Sequence, residues 1–180
     1  GPGNCLMDEW CHRHLDAPYD AEGRWAASGK VDADLLDALL ADPYFALPAP
    51  KSTGRDLFHM EWLDARLAGC AQLAAADVQA TLTALTARTI ADALKSEGVA
   101  VDAVYVCGGG AYNTVLIQRL ETLLHPMIVT STQQLGIAPE WVEAMAFAWL
   151  AHRRLEGKSG NIPSVTGAAR EVLLGAVYPP

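Results

Sequence analysis

No stretch of this sequence approaches the ~20 consecutive apolar residues that a helix needs to cross a bilayer. The alanine-rich run near Ala74 is interrupted by Asp77 and Gln79 and reads as a soluble helix. Positive charge is scarce as well: 13 Lys and Arg against 21 Asp and Glu leave a net charge of -8. A net anion attracts neither nucleic acid nor an anionic membrane surface, so neither is expected as a partner. Cysteine is sparse, with four residues and no CxxC pair. Cys5 and Cys11 stand near His12 and His14, but no second Cys/His pair has zinc-site spacing. Reduced thiols and a cytoplasmic location are the expectation. Also lacking are a Gly-Lys-Ser/Thr phosphate loop and a GxGxxG dinucleotide fingerprint. The five histidines are scattered and specify no Ser-His-Asp set.

What remains is a chain of 180 residues, 51% hydrophobic and 19% charged, which suits one globular domain with a substantial core. No internal repeat is visible. The apolar spacing predicts a helix over 4–14 with Asn4 as its N-cap, and a short one over 32–40 capped by Asp32, with Leu35, Leu36, Leu39 and Leu40 as its buried stripe. Residues 17–29 are rich in turn formers, and 42–58 (DPYFALPAPKSTGRDLF) carry three prolines and a glycine, which predicts a long, ordered or mobile loop. The strongest helical pattern covers 74–95 and ends at Glu97-Gly98. VAVDAVYVCGGG then reads as a central strand stopped by glycines, followed by a helix over 113–124, a strand over 127–131 and a helix over 139–155. This order is that of an α/β protein.

Four segments carry candidate chemistry. In VYVCGGGAYN a strand ends, three glycines turn and a helix begins near Asn113. Glycine admits close approach of a ligand, and helix N-terminal amides favour anions, although a tight turn needing glycine for geometry alone is the alternative. The opening GPGN, ahead of a helix, reads either as a phosphate cradle or as a scar of tag removal. In IAPEWVEAMAFAWLAHRR, Glu143 sits among apolar residues, which calls for a partner or a ligand; a solvated place in the first turn is the other reading. PKSTGRDLF offers Lys51 and Arg55 with Ser52, Thr53 and Gly54 as an anion clamp, or as plain solvated charge. Asp8 and Asp20 are carboxylates near the opening segment, for each of which a helix-surface role is the simpler reading.

Taken together, GPGNCLMDEW, PYFALPAPKSTGRDLF, DVQATLTALTARTIADAL, VCGGGAYN, APEWVEAMAFAWLA and NIPSVTGAARE resemble, in order, the C-terminal half of the anhydro-N-acetylmuramic acid kinases. The resemblance covers nearly the whole chain. It implies an actin/hexokinase-like (ribonuclease H-like) α/β fold, with residues 1–180 as the C-terminal half of a two-domain sugar kinase and a mixed sheet flanked by helices. The implied activity uses ATP and Mg2+ to cleave the 1,6-anhydro ring of anhydro-N-acetylmuramic acid and phosphorylate O6, in peptidoglycan recycling. GPGN is similar to the end of the family's D-T-G-P-G-N phosphate segment, which implies that Gly1, Gly3 and Asn4 lie near the ATP phosphates. CGGGAYN is similar to the adenosine-side motif, which implies nucleotide contact for Gly108, Gly109 and Gly110, with Asn113 in support. Glu143 matches the family's substrate-binding glutamate.

The resemblance also implies what these residues lack. The family's general-base Asp opens D-T-G-P-G-N and falls two positions before Gly1, and an N-terminal half of similar size carries the other phosphate segment. The expectation is therefore that the 180 residues alone do not turn over substrate. The missing half of the same enzyme is the expected partner, and a homodimer is a family-level expectation. Two rival readings are a stand-alone nucleotide- or sugar-binding domain without catalysis, and a non-catalytic interaction partner of the actin-like superfamily.

Overall fold

The computed structural model describes residues 1–70 and 72–178. The chain is organised around one helix. Helix α6 (Ala75–Ser96) buries every residue from Val78 to Ala87, polar ones included. Such a helix needs neighbours on all sides. They are α1 (Cys5–Leu15), α2 (Arg24–Ser28), α3 (Ala33–Leu40) and, towards its C-terminal end, α7 (Thr114–Leu124). Its threonines fit this setting because their hydroxyls find acceptors: Thr81 donates to the Asp77 carbonyl at 2.7 Å, and Thr83 to that of Gln79 at 2.9 Å. Thr86 donates instead to the carbonyl of Gly3 at 2.9 Å, which fastens the start of the chain to the helix.

Two apolar clusters share α6. In the first, Leu6, Met7 and Trp10 of α1 and Leu35 and Leu39 of α3 meet Val78, Leu82 and Leu85. Helix α5 (Met60–Leu67) adds Trp62 and Leu63. The second joins Ala87 and Ala91 to Leu116, Leu120 and Leu124 of α7 and to Val129. Between α2 and α6 the backbones touch: a Cβ on Gly29 would stand 2.1 Å from the Ala76 carbonyl oxygen, so no side chain fits there.

The predicted caps of α3 and α7 form as expected. The Asp32 carboxylate accepts from the Leu35 amide at 2.8 Å and the Asn113 side chain from Leu116 at 3.0 Å. Asn4 precedes α1 but its side chain makes no capping bond, because its backbone is already helical at φ -86° and ψ -13°. Residues 42–58 are a braced loop. Asp42 caps α4 (Pro43–Ala46), and its carboxylate also accepts from Trp62 Nε1 at 2.8 Å and Arg66 at 2.7 Å. Tyr44, Phe45, Phe58 and Trp62 pack ring against ring behind it. Helices α2 and α5 were not expected.

The sheet departs from expectation. Strands β1 (Ala103–Val106) and β2 (Ile128–Ser131) pair in parallel, with Ala103 opposite Ile128 and Val106 opposite Ser131, and α7 makes the crossover. Among the described residues these two strands are the whole sheet, so the implied mixed sheet is not seen. Nor is β1 buried on both faces. Val104 and Val106 face α7, whereas Tyr105 on the opposite face is 44% exposed because nothing described covers it. The expected helix over 139–155 begins as a tight turn at Pro139–Trp141 and continues as α8 (Val142–Leu155), which buries no residue. A short α9 (Pro163–Thr166) follows.

Because Leu85 is fully buried where α6 meets the first cluster, Leu85→Ala is expected to lower unfolding free energy by about 2–5 kcal/mol. Leu155→Ala, at a residue 75% exposed, is expected to stay within about 0.5 kcal/mol. Urea midpoints of the two variants check the contrast.

Candidate active site

The glycine-rich turn and the opening segment meet in space. After β1, Gly108 turns the chain at φ +74° and its amide donates to the Pro139 carbonyl at 2.9 Å. Gly109–Tyr112 forms a single tight turn, and Asn113 then caps α7. On the other side, Gly3 bends at φ +56° and is held by Thr86. A Cβ added to Gly110 would lie 3.2 Å from Asn4 Oδ1, so the two glycine-bearing motifs are in contact through the Asn4 amide.

Residues 19–23 close the space beside them. The Asp20 carboxylate accepts from the Trp25 and Ala26 amides, both at 2.9 Å, and so caps α2. Gly23, at φ +73°, brings this turn so close to α7 that a Cβ would stand 2.3 Å from Asn113 Oδ1. The Thr114 hydroxyl donates to the Glu22 carbonyl at 2.8 Å. Between these walls lies a cavity of about 380 Å3, bordered by Asn4, Asp8, Tyr19, Glu22, Gly109 and Tyr112 among others. A second cavity of about 350 Å3 adjoins it, bordered by Gly1, Asn4, Cys5, Asp8, Thr53 and Arg55. Asn4 and Asp8 belong to both.

Asp8 is the electrostatic centre of this pair. Burial pushes its carboxyl up to about 6 from 3.8, with Asp20 and Glu9 adding to the rise and Arg55 opposing it. No described side chain or amide donates to it. At the outer edge the Tyr112 hydroxyl donates to Glu140 Oε2 at 2.5 Å, which raises the tyrosine and lowers the glutamate. Burial also raises the Cys5 thiol.

Of the residues singled out in the sequence, Gly1, Asn4, Asp8, Asp20, Thr53, Gly54, Arg55, Gly109 and Asn113 border the cavities and Gly110 touches Asn4. Gly3 and Gly108 shape the backbone next to them without bordering either. Glu143 is not brought in. It is exposed on the first turn of α8, and the apolar neighbourhood read around it is absent because Trp141, Met145 and Phe147 are themselves 51–64% exposed. Asp20 borders the first cavity but its carboxylate is engaged in capping, and Lys51 donates to the carbonyls of Tyr44 and Phe45 at 3.2 and 2.9 Å. Tyr19, Glu22 and Tyr112 were not singled out, although Tyr112 stands two places after the last of the three glycines and Tyr19 lies in the turn-rich stretch. A separate cavity of about 460 Å3, between α3, α6 and α7, is bordered by none of the candidate site residues.

The model of the anhydro-N-acetylmuramic acid kinase family matches residues 1–180. The chain belongs to this family. Relatives named anhydro-N-acetylmuramic acid kinase include one from Xanthomonas oryzae pv. oryzae, 56% identical over 179 residues, covering 99% of this chain and 47% of the relative. One from Burkholderia lata is 55% identical over 183 residues, covering 99% and 48%. One from Saccharophagus degradans is 54% identical over 181 residues, covering 100% and 48%. The chain thus spans about half the length of the anhydro-N-acetylmuramic acid kinases it matches.

The raised Asp8 pKa makes stability depend on pH. The folded state keeps a proton that the unfolded state gives up at 3.8, so stability falls as pH rises from about 3.8 to about 6 and the penalty then stays constant. The carboxylate is only half-buried, so solvent screening leaves a penalty of about 1 kcal/mol. Asp8→Asn is expected to raise stability by about that amount at pH 7.5 and by almost nothing at pH 3.5. Thermal unfolding of both forms at the two pH values measures it.

Proposed function

We propose that the paired cavities bind ATP, and that in a protein of the relatives' full length this half serves an anhydro-N-acetylmuramic acid kinase. The reaction is hydrolytic cleavage of the 1,6-anhydro ring coupled to phosphorylation of O6, giving N-acetylmuramic acid 6-phosphate for peptidoglycan recycling in the cytoplasm. The observation that carries the reading is the contact between Asn4 and Gly110, which joins two motifs far apart in sequence at the border of one cavity. The four free cysteines suit a reducing compartment. No helix among the described residues is long and apolar enough to cross a membrane.

In this reading Gly109, with no side chain, leaves room for the nucleoside, and Asn4 stands between the nucleoside and the phosphates. Magnesium would neutralise phosphate charge there. No three His, Cys, Asp or Glu residues gather to cage a metal among the described residues. Mg2+ commonly takes one or two carboxylates and completes its shell with phosphate oxygens and water. Asp8, half-buried and lacking a described donor, fits such an ion and is the residue that would hold it. Water attack at the anomeric carbon breaks its bond to O6, and O6 takes the γ-phosphoryl group. By resemblance, the base for that water is the family's Asp two positions before the one matched by Gly1, and in this reading the 180 residues supply the positioning of the nucleotide.

Glu143 keeps its proposed role as a sugar-binding residue. In support, the turn that opens its helix is tied to the glycine-rich turn through Gly108–Pro139 and Tyr112–Glu140. The actin/hexokinase-like architecture is proposed on the same footing. The uncovered face of β1 and the exposed Trp141, Met145, Phe147 and Trp149 suit burial against the other half of a full-length protein, or against a second copy in a homodimer.

Gly109→Val places a side chain where nothing lies within 4 Å, so the fold is expected to tolerate it while the cavity fills. ATP affinity by calorimetry is expected to fall at least tenfold with the urea midpoint unchanged. Equal ATP affinity in both forms would contradict the reading. Kinase assays on a preparation whose mass matches these 180 residues are expected to show no sugar phosphorylation, and robust turnover would overturn the division of labour.

A further inference from the structure

The 51–56 segment is the candidate anion clamp that the nucleotide reading above does not use. Its two cations have different fates. Lys51 is committed to the carbonyl ends of α4 and lies over the Tyr44 ring. Arg55 borders the second cavity and has no ion-pair partner among the described residues, in a chain of net charge -8. Arg13, Arg24, Arg66 and Arg88 each pair with a carboxylate, and of the arginines without an ion pair among the described residues only Arg55 borders either of the two adjoining cavities. Two places along, the Thr53 hydroxyl borders the same cavity, is buried, and has no hydrogen-bond partner among the described residues. A buried hydroxyl without an acceptor is costly, and an oxyanion in the cavity would supply one. Asn4 and Asp8 make this cavity continuous in lining with the one that borders Gly109.

We infer that the cavity between residues 1–5 and the 53–55 loop is an oxyanion subsite for the terminal phosphate of the nucleotide, with the Arg55 guanidinium as counter-charge and the Thr53 hydroxyl as donor. The inference rests on the nucleotide reading and extends it. A fixed guanidinium fork suits phosphate oxygens, and its rigid geometry is why lysine is a weaker substitute. Asp8, which borders the same cavity, opposes a bare anion, and this makes the magnesium complexes the proper probes. The loop is braced for the task by the Asp42 network and by Gly54, whose carbonyl accepts from Leu57 and Phe58 at 3.3 and 3.2 Å.

The test titrates the 180-residue chain with MgATP, magnesium tripolyphosphate, adenosine and N-acetylmuramic acid, comparing Arg55→Ala, Arg55→Lys, Thr53→Val and, as a charge control, Arg13→Ala. Arg55→Ala is expected to weaken MgATP and tripolyphosphate at least tenfold and adenosine less than twofold. Arg55→Lys is expected to recover part of the loss, Thr53→Val to lose severalfold, and Arg13→Ala to match the unsubstituted chain. Unchanged MgATP affinity in Arg55→Ala, with adenosine and MgATP still bound, overturns the subsite and leaves the nucleotide reading standing. A loss confined to N-acetylmuramic acid also overturns it, because the cavity then reads the sugar carboxylate. Failure of the unsubstituted chain to bind either adenosine or MgATP overturns the nucleotide reading itself.

Discussion

The packing of the described helices depends on α6, whose central residues, Val78 to Ala87, are buried on all sides. For α6 to run through the interior it must present apolar surface in every direction or hide its polar atoms, and its sequence does both. Leu82, Leu85, Ala87 and Ala91 give it two successive apolar contacts, while threonines bond back to its own carbonyls. Thr86 is the exception: by reaching to Gly3 it turns an interior helix into the anchor of the opening segment. The second cluster meanwhile fixes α7, and with it the glycine-rich turn that precedes α7. One helix therefore sets the distance between two motifs that meet at Asn4.

The electrostatics of the meeting point follow from that packing. A carboxylate on α1 is walled in by the 19–23 turn and the 53–55 loop, so burial outweighs the pull of Arg55 and its pKa rises. Such an arrangement costs stability and is characteristic of positions that serve a ligand. Arg55 and Asp8 border the same cavity without forming an ion pair, which leaves both able to engage a bound group. The acidic balance of the chain thus coexists with a guanidinium, that of Arg55, which borders the cavity without an ion-pair partner among the described residues.

Local chemistry was legible in the sequence and tertiary consequences were not. Asp32 and Asn113 cap the helices they announce, because a cap is decided within four residues. The family, too, was readable, since six motifs in order carry far more information than any one. Helix α5 escaped because Trp62 and Leu63 are adjacent and follow a proline-rich loop, giving no clear period. Asp8 looked like an ordinary helix-surface acid; its burial comes from segments distant in the chain. Asp20 and Lys51 looked available and are engaged in holding backbone. Glu143 stands on a helix whose apolar side chains announce burial that the described residues do not provide.

The central claim is that the opening segment and the glycine-rich turn bound a single nucleotide cavity. The most direct measurement is an NMR titration of the isotope-labelled chain with a magnesium complex of a non-hydrolysable ATP analogue. The account predicts that the Asn4 side-chain amide and the Gly109 and Gly110 backbone amides shift together and saturate with one dissociation constant. Saturable shifts confined to one of the two motifs, or elsewhere in the chain, would contradict it.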